Sequence, residues 1–278
     1  MFAPGSWAAT ILRAIAAAPY LPSRSGGRPR HPFLDWPGPI AFAHRGGASE
    51  APENTMPAFE RAVGLGYTYL ETDVHVTTDG VVVAFHDDDL ARTCGRPGRI
   101  SDLPWAEVAA ARVDGREPIP RLDELLGAWP QARFNIDCKT DQAAMPLAGV
   151  LERTGVLDRV CVASFSDRRT ARLRRRLGPG LCTSAGPAEL AALRLRVPWR
   201  RRSPAAQVPV RARRVTIVEP PFVERAHRLG VDVHVWTIDD AVEMRRLLDL
   251  GVDGIMTDRP AVLRGVLSER GQWVDRAG

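Results

Sequence analysis

The chain is almost without lysine. Its 278 residues carry 38 basic side chains, and only Lys139 among them is a lysine; the rest are arginines. The net charge is +5 and the pI about 9.5, values that alone would point to nucleic acid or an anionic membrane surface. The arginines, however, are spread along the whole chain beside much alanine, and no nucleic-acid-binding motif is present. The balance therefore reads as compositional bias, and no nucleic-acid partner is expected. The four cysteines (Cys94, Cys138, Cys161, Cys182) show neither a CxxC pair nor zinc spacing. Three of them fall in expected strands, where buried reduced thiols are ordinary, and this favours a cytoplasmic location. Long apolar runs are missing too. Trp7 to Leu21 is interrupted by Arg13 and broken by Pro19 and Pro22, and Met1 to Ser6 lacks the positive start of a signal peptide. Stable membrane insertion is not expected, although an amphipathic helix here would permit peripheral association. Residues 1–38 read as a partly flexible leader, with a Gly/Arg/Pro-rich linker from Ser23 to Arg30.

What is present is a dense run of chemistry between His44 and Asp87. Pro39-Ile40-Ala41-Phe42-Ala43 is a short apolar run that ends at His44-Arg45-Gly46-Gly47, and it predicts a buried strand followed by a tight turn. Apolar residues at helical spacing predict a helix from Thr55 to Leu65. Tyr67 to Leu70 opens a second strand that ends in Glu71-Thr72-Asp73, whose two carboxylates project from one face. Two such carboxylates repel unless a cation lies between them or one is protonated, and oxygen-only ligands favour Mg²⁺ or Ca²⁺. Asp79-Gly80 predicts a two-residue hairpin loop. Counting back from it sets Asp73 opposite His86, which makes His86 a candidate proton-transfer group.

Downstream, Arg99 to Val108 contains a helix start, Leu122 to Trp129 reads as a helix, and Arg133 to Lys139 as a strand with Asp137 and Lys139 on one face. A surface salt bridge would also account for that pair. Helices are predicted at Asp167–Leu177, from Pro187, and at Asp240–Leu250. Residues 198–214 are rich in Arg and Pro and read as a solvated loop. Strands beginning near residues 39, 69, 133, 160, 181, 215, 231 and 254 alternate with helices, the pattern of a (β/α)8 TIM barrel over residues 39–265. Residues 88–120 would form an insertion at its mouth and 266–278 a C-terminal tail. His44, Glu71, Asp73, Asp137, Lys139 and Trp236 then fall at strand C-terminal ends, the face where barrel active sites sit.

His44-Arg45-Gly46, Glu53-Asn54-Thr55, Glu71-Thr72-Asp73-Val74 and Phe85-His86-Asp87, in this order and spacing, resemble the glycerophosphodiester phosphodiesterase family. Weaker matches continue to about Pro260. The resemblance implies hydrolysis of a small-molecule glycerophosphodiester to glycerol 3-phosphate and an alcohol. It implies one divalent cation, Mg²⁺ or Ca²⁺, on Glu71, Asp73 and Asp137, the last at a position where the family usually has Glu. His44 and His86 would be the acid–base pair. Arg45 and Lys139 would face the phosphate, Glu53 would orient the metal shell or a glycerol hydroxyl, and Trp236 would offer an apolar wall. The nucleophile is water or the substrate's own hydroxyl through a cyclic phosphate. Two other readings stand beside this one. A lysophospholipase D would need a long apolar groove near residues 88–120, which are poor in large apolar side chains. A catalytically silent phosphate-binding barrel fits poorly with intact histidines and carboxylates. The oligomeric state is not legible.

Overall fold

The computed structural model describes residues 31–197, 203–212 and 214–274. The first strands are β1 (Ile40–Ala43), β2 (Tyr69–Val76), β3 (Val82–Ala84), β4 (Arg112–Val113), β5 (Glu117–Pro118) and β6 (Arg133–Cys138). They are followed by β7 (Val160–Ala163), β8 (Cys182–Thr183), β9 (Ala205–Pro209), β10 (Arg211–Ala212), β11 (Val215–Thr216), β12 (Asp232–Trp236) and β13 (Gly254–Thr257). Eight of them run parallel, side by side in the order β1, β2, β6, β7, β8, β9, β12, β13, and β13 pairs back onto β1. The seam from β8 to β9 rests on a bridge between Ser184 and Ala205, with the Ala185 N–H donating to the Ala205 carbonyl at 2.7 Å. A helix follows each of the eight, from Met56–Gly64 after β1 to Pro260–Glu269 after β13. This is the expected (β/α)8 barrel.

Barrel strands are covered on both faces, which is why they read as continuous apolar runs rather than alternating ones. All four residues of β1 are buried. Outward side chains such as Leu70, Phe134 and Val162 pack against the helices. Inward ones are layered. Phe33, Ile40, Phe42 and Tyr69 fill the N-terminal end. Asn135, Gln207 and His234 form a buried polar middle, with Gln207 Nε2 donating to Asn135 Oδ1 at 2.7 Å. Glu71, Asp73 and Asp137 lie above them toward the strand C-termini, all buried.

Two expectations fail. The sixth barrel strand is Ala205–Pro209, inside the segment read as a solvated loop, and not the run near 215. Val215–Thr216 instead forms a short antiparallel pair with Arg211–Ala212 outside the barrel. The β2–β3 hairpin is also displaced by one residue. Thr77 pairs with Val81 through its N–H at 3.0 Å, so the loop has three residues, with Gly80 left-handed at φ 86°. A three-residue loop closed by a left-handed glycine is the next most common hairpin after the two-residue form. Asp73 therefore faces Phe85, whose N–H donates to the Asp73 carbonyl at 2.9 Å. His86 belongs to a bend that follows β3.

The packed body extends past residues 39–265. Phe33 and Leu34 are fully buried in the barrel floor, and Trp273 packs on Tyr67 with ring centroids 5.2 Å apart and planes tilted by 59°. The Trp7–Leu21 run lies outside the described residues. Residues 88–120 form the expected insertion, with its own core of Leu90, Ile100, Val108, Val113 and Ile119 packed on Val83 and Phe85.

Candidate active site

β1 ends where the chain turns sharply through His44–Gly46. Arg45 and Gly46 are left-handed there, at φ 51° and 83°. The turn brings the Arg45 amide to Glu71, where it donates to Oε2 at 3.0 Å. His44 Nδ1 donates to Asp258 Oδ1 at 2.6 Å, and its Nε2 lies 3.8 Å from Glu71 Oε2. Asp258 follows β13 and is itself held, its N–H donating to Asp239 Oδ1 at 2.8 Å. In the bend after β3, His86 Nδ1 donates to Asp87 Oδ1 at 2.6 Å. Each ring is thus tied at Nδ1 to a carboxylate, which leaves Nε2 as the group available for proton transfer.

Between them lies a charge cluster. Asp73 and Asp137 are register partners on β2 and β6, and Lys139 Nζ lies 2.7 Å from each carboxylate. Asp73 also faces Arg45 Nε at 3.2 Å and accepts from Asn54 Nδ2 at 3.0 Å. Burial alone would raise the Asp73 pKa, but Lys139 and Arg45 hold it well below the usual carboxylate range. Glu71 goes the other way: burial and the charge of Asp73 push it up to about 7. Burial would lower the Lys139 pKa, yet Asp137 and Asp73 keep it above the usual lysine value. His44 is subject to the same burial, which Glu71 and Asp258 outweigh, so it is raised. His86 is lowered, mainly by burial.

The donor set suits a hard divalent cation. It is oxygen-only, and Asp137 Oδ1 is buried without a hydrogen-bond partner. The arrangement is nonetheless closed around Lys139, whose ammonium stands between Asp73 and Asp137. Among the described residues no group of three or more His, Cys, Asp or Glu side chains is gathered as a metal site.

Eight of the nine sequence-derived residues line one pocket of about 190 Å³: His44, Arg45, Glu71, Asp73, His86, Asp137, Lys139 and Trp236. Glu53 does not. It stands behind Arg45, whose Nη1 donates to Glu53 Oε1 at 3.1 Å, and both its oxygens also accept from Arg92. The charged and ionisable groups come from the β1, β2 and β6 half of the barrel and the adjoining hairpin. The other half supplies an apolar wall of Ala163, Phe165, Ala185, Pro187, Leu190 and Trp236. Phe165 is 50% exposed and meets Trp236 edge-on at 5.9 Å. Of this wall, sequence reasoning found only Trp236, having looked for further apolar surface near 88–120 and not at Phe165, Pro187 or Leu190. It also missed Asp258 and Arg92. For Asp258 a signal existed, since it directly follows the last barrel strand.

A family model described as "Glycerophosphoryl diester phosphodiesterase family" matches residues 44–262. The chain is 42% identical over 258 residues to "Probable glycerophosphodiester phosphodiesterase 2" of Mycobacterium tuberculosis, covering 89% of this chain and 98% of that one. It is 27% identical over 283 residues to a lysophospholipase D of Mus musculus, covering 82% and 85% of the two chains. Its fold is similar to that of an Oleispira antarctica phosphodiesterase solved with the product sn-glycerol-3-phosphate. The TM-score there is 0.71 at 23% identity, with 83% of this chain and 97% of that chain covered. A match over most of the chain, on a barrel whose mouth carries the site, shows that this chain belongs to the glycerophosphoryl diester phosphodiesterase family and is an enzyme of that class.

Proposed function

We propose that this enzyme adds water across the phosphodiester bond of a glycerophosphodiester, releasing glycerol 3-phosphate and an alcohol, with His44 and His86 as the acid–base pair. The observation that carries this reading is the pair of histidines, each held at Nδ1 by its own carboxylate and both lining the same pocket. One ring takes the proton from the attacking oxygen and the other protonates the departing alkoxide. Arg45 and Lys139 offset charge on the phosphoryl oxygens. Glu71, Asp73 and Asp137 would hold a divalent cation, Mg²⁺ or Ca²⁺, which when bound supplies Lewis-acid stabilisation of the phosphoryl group. Lys139 would then turn from the carboxylates toward the phosphate. Trp236 covers the carbon skeleton on the opposite side.

The test is release of glycerol 3-phosphate from glycerophosphocholine with Mg²⁺, with Ca²⁺ and with chelator. Release should stop with chelator and return with one of the two ions. His44→Ala and His86→Ala should each lose about 10²–10⁴-fold in turnover while keeping the wild-type melting temperature. No release with any ion, or near-normal turnover by either variant, overturns the reading.

The apolar wall favours a second reading, in which the diester carries an acyl chain. Wild-type kcat/KM for a lysophospholipid against glycerophosphocholine decides between them. A higher value for the acylated substrate would place the chain with the lysophospholipase D activity of its mouse relative.

A further inference from the structure

Arg92 lies on the short helix Ala91–Cys94 of the insertion, outside the barrel and outside the pocket lining. Its guanidinium makes two forked contacts. Nε and Nη2 donate to Asp87 Oδ2 and Oδ1 at 2.5 and 3.1 Å. Nη1 and Nη2 donate to Glu53 Oε2 and Oε1 at 2.9 and 2.6 Å. All four carboxylate oxygens of the two acids are thus engaged by one side chain. Asp87 in turn holds His86, and Glu53 holds Arg45, which faces Asp73. A continuous chain of charged contacts therefore runs from His86 through Asp87, Arg92, Glu53 and Arg45 to Asp73.

The platform beneath Arg92 is firm. The neighbouring Leu90 and Thr93 are buried, Asp89 Oδ1 accepts from the Ala91 N–H at 2.9 Å, and the Thr93 carbonyl accepts from the Asp114 N–H at 2.7 Å. The His86 bend is also fixed from behind, where buried His75 Nε2 meets the His86 carbonyl at 3.1 Å. Arg92 itself is about half exposed, so as a plain surface ion pair it would add little to stability. Its value lies in geometry. Two bidentate forks fix the relative positions of two carboxylates that come from separate loops.

We propose that Arg92 is a positioning residue of the active site, through which the insertion sets the orientation of the His86–Asp87 pair and of the Glu53–Arg45 pair together. Without Arg92, Arg45 keeps its contacts to Glu53 and Asp73, so substrate binding stays largely intact, while Asp87 loses its fork and the proton-transfer group is misaligned. The proposal rests on the acid–base reading of His86.

The experiment measures kcat and KM for glycerol 3-phosphate release from glycerophosphocholine in Arg92→Ala, Arg92→Lys, Asp87→Asn and the Arg92→Ala/Asp87→Asn double variant, beside His86→Ala. Melting temperatures are recorded for all. Arg92→Ala should lower kcat about 10- to 100-fold with KM within about twofold of wild type. Lysine, a point charge without the fork, should restore only a small part of the loss, and added guanidinium should restore more of it in the alanine variant. The double variant should be no worse than about the weaker single one, because both changes cut the same path. Wild-type kcat in Arg92→Ala, independent multiplication of the two losses, or full recovery with lysine each overturns the proposal. If His86→Ala is inactive while Arg92→Ala is normal, only this inference fails. If His86→Ala is active, the acid–base reading and this inference fall together.

Discussion

A histidine that moves a proton must present one nitrogen and keep the other occupied. Here both candidates are held by a carboxylate, but the two carboxylates differ in how far away in the chain they lie. Asp87 is the next residue after His86, and Asp258 is 214 positions from His44. The first kind of partner is visible in a sequence and the second is created only by barrel closure. Arg92 was illegible for another reason: one arginine among so many carries no signal until its contacts are seen. Glu71 and Asp73 were readable because they end an apolar run with both carboxylates on one face, whereas Asp137 and Lys139, which a surface salt bridge would also explain, were singled out only by the family resemblance. At this scale Asp87 also makes an acid-stability prediction. Burial would raise its pKa, but hydrogen bonds from Arg92 and His86 pull it down to about 2. A depressed carboxylate stabilises the fold above its unfolded value of about 4 and loses that contribution as pH falls toward its folded value. Urea unfolding should therefore show wild-type stability falling more steeply between about pH 4 and pH 2 than that of Asp87→Asn. Parallel curves for the two proteins would show that Asp87 is not held in this way.

At the scale of elements, the strongest signals were the apolar runs, and the failures came where a strand lacked one. β9 is Ala-Ala-Gln-Val-Pro, flanked by arginine-rich stretches. Inside a barrel such small residues are sufficient, since a strand needs only to fit between its neighbours, and Gln207 turns inward to bond Asn135. Val215 to Val218 is more apolar to the eye, yet Val215 is among the exposed large hydrophobics. The hairpin slip has a similar lesson: Gly80 marks a turn without stating how many residues precede it. The His44–Gly46 turn was legible because glycine is required there, and it can be tested. A Cβ on Gly46 would lie 2.8 Å from the Ala58 Cβ and 2.9 Å from the backbone at Ala58 and Phe59, in a left-handed conformation. Those obstacles are backbone and a short side chain of the helix Met56–Gly64, so nothing can swing aside. Gly46→Ala should destabilise the fold by about 2–4 kcal/mol and displace His44 and Arg45, with activity falling beyond what the unfolded fraction explains. Unchanged stability in denaturant would show that the helix and turn are not locked together.

The whole molecule is organised as a barrel with opposite ends. The mouth buries Glu71, Asp73 and Asp137 in close array with the partly buried Lys139, an arrangement that costs stability because these charges leave water. The floor is where the fold offsets such costs. Phe33, Phe42 and Tyr69 pack with ring centroids 5.3 to 6.4 Å apart, and Trp36 meets Tyr69 edge-on at 5.3 Å. Arg133 lies over the Trp36 ring at 5.7 Å, and its Nη1 donates to the Asp35 carbonyl at 2.8 Å. The Phe33 carbonyl accepts from the Tyr69 hydroxyl at 2.7 Å. Residues 32–36, which precede the first strand and lie before the family match begins at residue 44, are therefore the plug of the barrel. The pattern of a short Pro-bounded segment gave no hint of this, because its burial depends on a floor built from three distant strands. Phe33→Ala should cost about 3–5 kcal/mol, the range for a fully buried phenylalanine, and lower the melting temperature accordingly. Because the plug lies at the end of the barrel away from the mouth, KM and kcat measured well below that melting temperature should stay near wild type. A small loss of stability would mean that the floor closes without Phe33, and a changed KM would mean that the two ends of the barrel are mechanically coupled.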